Sequence, residues 1–287
     1  MEALTKAAVY ASLLLAIGAV AGRWFILPRA TALGAGERSR LEGALARLLR
    51  RAAMVLVAAL AARLLFHTAA AFGLPAVLDG SRLRVMAFDS RWGQAWRVQF
   101  LASGVLLAAA LVVPFRARAA WAVAAVAALA ATATMPLVGH AAGSVARSAL
   151  HVAHVLGAGL WLGTLGVLVL VGGPAHDRGA LLRAFSPVAM AGAAILVPTG
   201  LVVAWLYLGS VGALWSEPYG RALTMKIALV AAVAGCGYWN WQSVRHDRTG
   251  AEHGASPAGQ APLAGLEALL AVAIVIVTSV LTELAHP

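Results

Sequence analysis

Long apolar runs separated by short polar breaks set the pattern of this chain. The runs cover approximately 5–26, 50–72, 94–114, 118–138, 146–171, 181–208, 219–242 and 262–284. A bilayer-spanning helix needs about 20 mostly apolar residues, and each run is long enough. The breaks carry glycine, proline and charge, as in "PFRAR", "GGPAHDRG" and "RHDRTGAEHGASPAGQAP". The pattern predicts an all-α polytopic transmembrane helical bundle of about eight helices, a single integral-membrane domain over 1–287 with no separate soluble unit. Residues 5–26 resemble a signal peptide only in part. Glu2 interrupts the basic start and the run is long, so a retained helix is expected.

Composition sharpens this picture. The chain is 62% hydrophobic and 11% charged, against about 45–50% and about 25% in soluble domains. Mean hydropathy is +0.85. The net charge of +11 is mostly arginine. A nucleic-acid binder would need a soluble basic face, and no segment offers one. The single cysteine, Cys236, excludes an intrachain disulfide and a cysteine-only metal site, and reads as a small packing residue.

Charge also orients the chain, because lysine and arginine collect on cytoplasmic loops. The break after the first run holds Arg23, Arg29, Arg38, Arg40, Arg47, Arg50 and Arg51. Arg116, Arg118, Arg178, Arg183, Arg245 and Arg248 follow on the same side. The opposite side holds mainly Arg82, Arg84, Arg91, Arg97, Arg147 and Arg221. Both termini are therefore expected on the outer face, the periplasm of a bacterial inner membrane.

That orientation sorts the histidines. His176, His246 and His253 fall in inner loops. His67, His140, His151, His154 and His286, with Glu283 beside the last, share the outer level. His151 and His154 project from one helix face at i and i+3. His154 lies roughly 10–12 Å along its helix, inside the membrane. Ionisable groups there are costly and usually face a cavity or the bundle interior. Imidazole is a common metal ligand. Two from one helix leave a shell incomplete, and ligands from His140, His67, Met135 or the end of the eighth helix would suit copper or zinc. Two alternatives stay open: the imidazoles hydrogen-bond between helices, or His67 and His154 hold a b-type haem from opposite sides.

Other residues give context. Gly157, Gly159, Gly163 and Gly166 allow close helix approach, while Trp161 either packs the helix or lines a site. Pro198 and Gly200 should kink or loosen the sixth run, and Pro218 opens the seventh. Lys226 either snorkels outward or faces the interior. Met54, Met190 and Met225 are candidate inner stepping stones for a metal, although single methionines in a span are more often core residues.

The ordered set "GH" near 140, "HVAHVLGAGLWLGTL", "FSPVAMAG…TG" and "YGRALTMK" resembles the copper resistance protein D family, most clearly over about 135–245. The family's Trp-x-Gly-Gly reads Trp161-Leu162-Gly163-Thr164 here. The resemblance implies a bacterial inner-membrane protein of about eight helices that moves copper, as Cu(I) or Cu(II), with His140, His151 and His154 as motif histidines. It also implies a separate periplasmic copper-binding carrier as partner. His67, Met135, Glu283 and His286 rest on the topology instead. The chain has no nucleotide-binding motif and no CxxC delivery site, so transport rather than enzymatic turnover is expected, passive or gradient-coupled. A membrane haem protein and a non-transporting copper chaperone are the competing expectations.

Overall fold

A computed structural model describes residues 2–113, 117–138, 144–171, 175–246, 260–282 and 284. Among these, every regular element is helical. The long helices are α1 (Glu2–Arg29), α2 (Ala35–Phe72), α3 (Arg91–Val112), α4 (Ala117–Thr134), α5 (Val145–Val171), α6 (Ala175–Leu208), α7 (Pro218–His246) and α8 (Gln260–Leu281). Seven contain stretches long and apolar enough to cross a membrane. In α8 the described apolar stretch is the shorter Leu269–Leu281. Large apolar side chains such as Leu101, Val126, Leu201 and Leu269 are exposed, as expected where the surrounding solvent is lipid rather than water.

The first helix is the hub. Val9, Leu13, Ala16 and Ile17 are buried in one cluster with Leu45, Leu49, Leu56 and Leu60 of α2, Leu106 of α3, Trp121 and Ala124 of α4, and Val155 and Val167 of α5. Helix α1 also touches α8. Its crossing with α5 is a backbone contact. A Cβ on Gly18 would stand 2.2 Å from the Gly163 carbonyl carbon, and one on Gly163 would stand 2.0 Å from the Leu14 oxygen. On its other side α5 meets α6, where a Cβ on Gly157 would lie 2.8 Å from Leu196 N and one on Gly192 would lie 2.7 Å from Trp161 N. Small residues drive such contacts in membranes, where lipid is as apolar as leucine. Between the two contacts α5 widens into a π turn, Gly159–Gly163. Such bulges recur at functional sites.

Several expectations change. Helix α2 starts well before residue 50, at Ala35. Its 38 residues span about 57 Å at 1.5 Å each, so its arginine-rich first half projects beyond a ~30 Å hydrocarbon core. Arg23 ties this half to α1 through Glu42 at 2.8 Å. The break after α2 is structured, with a 3₁₀ turn Leu74–Leu78, a short helix Gly80–Arg84 and a π turn Val85–Asp89. There Ser81 donates to Asp79 from both hydroxyl and backbone N–H, which holds that carboxyl below its usual range. His176 and His246 lie in the end turns of α6 and α7 rather than in loops, while His253 falls outside the described residues. Trp161 packs near Leu162, Val233 and Ile274. Met54, Met190 and Met225 are 49%, 65% and 59% exposed, on the lipid-facing surface, so they do not form an inner path.

Replacing Gly163 with leucine should therefore separate α1 from α5 and sharply lower the unfolding temperature in detergent. Gly104, with nothing within 4 Å of its would-be Cβ, should accept alanine with a gain of about 0.5–1 kcal/mol. Equal effects at the two sites in a thermal melt would contradict the close crossing.

Candidate functional site: a histidine-lined cavity

Alternating helix direction brings the N-terminal ends of α1, α3, α5 and α7 to the same end of the bundle as the C-terminal ends of α2, α4, α6 and α8. A cavity of about 650 Å³ opens there. His67 from α2, Met135 after α4, and His151 and His154 from α5 all line it. Three further expected site residues, His140, Glu283 and His286, fall outside the described residues.

The lining residues do not form one metal-sized cluster. Among the described residues, no three His, Cys, Asp or Glu side chains come close enough to hold one ion. His67 sits in its own setting. Its ring stacks on Trp92 at 4.1 Å and 18°, and its Nδ1 is 3.7 Å from Glu2 Oε1. Arg63, only 6% exposed, lies over the same Trp92 at 5.9 Å. The indole of Trp96, one turn deeper, donates to the Leu60 carbonyl at 2.9 Å and locks α3 to α2. Met135 is also engaged. The Gln99 amide donates from Nε2 to its sulfur at 2.8 Å, and Gln99 is 1% exposed with Oε1 lacking a described partner.

The histidine pair on α5 lines the same cavity, and α6 holds one of its rings. The Thr199 hydroxyl gives its one proton to backbone carbonyls, Ile195 O at 2.6 Å and Leu196 O at 3.1 Å. It also lies 3.2 Å from His154 Nδ1; where it accepts there, the ring proton sits on Nδ1 and Nε2 keeps its lone pair. Gly200 makes room for this ring, since a Cβ there would lie 3.0 Å from His154 Cε1. Gly200 was readable only as a helix loosener. Its role here is to leave space for an imidazole.

Lys226 completes this side. It lines the cavity with both histidines, so the interior reading holds over the outward one. Glu2, Lys6, Tyr10, Arg63, Trp92, Gln99 and Thr199 also line or support the cavity, and sequence reasoning did not find them. Glu2, Lys6 and Tyr10 share one face of α1 at helical spacing, which was the available signal.

Nitrogen-15 spectra of histidine side chains should show His154 protonated at Nδ1, and Thr199→Val should shift that tautomer population. A spectrum unchanged by Thr199→Val would contradict the hydrogen bond.

Comparison with known families accounts for nearly the whole chain. The model for "Copper resistance protein D-like, N-terminal domain" matches residues 2–148, and that for "Copper resistance protein D" matches residues 179–281. The stretch 151–166, which carries the histidine pair, lies between the two matched regions. It is held physically by both, since α5 packs on α1 from the first and on α6 from the second. No curated protein and no solved structure matches the chain. The two matches, on a multi-pass helical bundle, show that this chain belongs to the copper resistance protein D family.

Proposed function

We propose that this protein carries copper ions across the bacterial inner membrane, taking them up at the histidine-lined cavity. The observation that carries this reading is that His151 and His154, the latter held at Nδ1 by Thr199, line one cavity with the Met135 thioether. Imidazole suits copper, and a thioether selects Cu(I). Family membership supports copper as the cargo.

The arginine distribution supports placing the cavity end on the periplasmic side, with both termini. A separate periplasmic copper-binding carrier would then deliver the ion to the cavity mouth. The cavity wall explains how the ion is tolerated within the bundle. Two neutral rings replace water around a cation that the hydrocarbon core would otherwise reject. Beyond His154 the path does not follow α5 closely, because α5 is in backbone contact with α1 at Gly163 and with α6 at Gly157. Onward movement would pass toward α7 and α8, where Leu223, Val230 and Ile274 line the cavity. With no nucleotide-binding motif in the sequence, the copper gradient or a coupled ion would supply the driving force.

Purified protein in proteoliposomes should be colourless in the visible range and should admit copper. The His151→Ala/His154→Ala variant should lose at least ~10-fold of the uptake rate. A Soret band would replace this reading with a haem protein. Tight copper binding without lumenal uptake would make the protein a chaperone instead.

A further inference from the structure

Two imidazoles choose poorly among metals. Affinity of a nitrogen site for divalent ions follows a general order that favours Cu(II), Ni(II) and Zn(II), so a histidine pair alone would admit any of these. Besides the Met135 thioether, which already accepts from Gln99, the cavity holds one further element that bears on the choice. Lys226 reaches it from α7, eight residues after Pro218, about 12 Å along the helix at 1.5 Å per residue.

The charges around the cavity divide into two groups. Glu2 lies beside His67, and Arg63 lies over the Trp92 ring on which His67 stacks, on the side of α1 and α2. Lys226 lines the cavity together with His151 and His154. The pair proposed to hold the ion therefore shares its cavity with a lysine, while the one carboxylate among the described lining residues, Glu2, sits beside His67. A site for a divalent cation normally gathers carboxylates or further ligands to offset the ion's charge. This one does the reverse.

We infer that Lys226 is a specificity-determining residue that selects monovalent over divalent metal ions at the His151–His154 pair. The inference rests on the reading of that pair as the metal site. The physical reason is the form of Coulomb's law. Repulsion from a fixed unit charge is proportional to the charge of the ion, so whatever factor Lys226 costs a monovalent ion in affinity enters squared for a divalent one. In a bundle interior of low dielectric this repulsion is strong and little screened by salt. Cu(I) then binds where Zn(II) and Cu(II) are turned away, although the imidazoles would accept all three.

The test uses the full-length protein in detergent with Ag(I) and Zn(II), two closed-shell ions that differ in charge and do not change oxidation state. Dissociation constants are measured for wild type, Lys226→Met, Lys226→Arg and the His151→Ala/His154→Ala variant. Lys226→Met should tighten both ions unequally: if Ag(I) tightens ~3-fold, Zn(II) should tighten ~9-fold. Lys226→Arg, which keeps the charge, should keep the wild-type Ag(I)-to-Zn(II) ratio and covers the case in which methionine disturbs folding. An unchanged ratio in Lys226→Met, or the same altered ratio in Lys226→Arg, would overturn the inference. If the double histidine variant still binds both ions like wild type, the metal-site reading falls as well. If it loses both ions while the Lys226→Met ratio stays fixed, the site stands and the selectivity role alone is excluded.

Discussion

The backbone crossing of α1 and α5 is the contact on which the rest of the structure depends. Gly18 and Gly163 meet with no room for a methyl group, and in a bilayer such close packing replaces the hydrophobic drive that holds a soluble core together. This contact makes α1 a central post rather than a peripheral anchor. It fixes the depth of α5, hence of His151 and His154, against the α2 and α4 residues on the same post. The second contact, Gly157 with Gly192 and Leu196, sets α6 so that Thr199 and Gly200 face His154. The glycines of the "HVAHVLGAGLWLGTLG" stretch therefore position its histidines.

With those contacts fixed, the other helix ends do not close over the centre. The cavity is largely apolar, yet Glu2, Lys6, Arg63, Gln99 and Lys226 all line it. Burying so many polar groups in a membrane protein is costly unless they are used. Two neighbourhoods result. Around His67, an acid and aromatic rings hold the imidazole in place. Around His154, the Thr199 hydroxyl of α6 meets the imidazole at Nδ1.

Much of this was legible in the sequence. Eight apolar runs gave the helices to within a few residues except at the starts of α2 and α6, because a bilayer sets both their length and their composition. Counting along alternating helices put His67, His140, His151, His154 and His286 at one level, and of these the described His67, His151 and His154 line one cavity with Met135. What stayed hidden depends on neighbours distant in sequence. Thr199 is an ordinary residue until its hydroxyl is seen against His154, 45 positions away. Gln99 reads as one polar residue in a span until it meets Met135. Glu2 looked like a flaw in a leader and proves to sit beside His67. The early start of α2 was missed because its first half is charged, and hydropathy reports only the part inside lipid. The methionines misled because an apolar residue in a span faces lipid as readily as a path.

The account stands on copper being held by the α5 imidazoles. X-ray absorption of the copper-loaded full chain addresses this directly. It should show imidazole nitrogen around the metal in wild type, and the His151→Ala/His154→Ala protein should lose that signature together with its bound copper. Unchanged copper stoichiometry and an unchanged spectrum in the double variant would contradict the account.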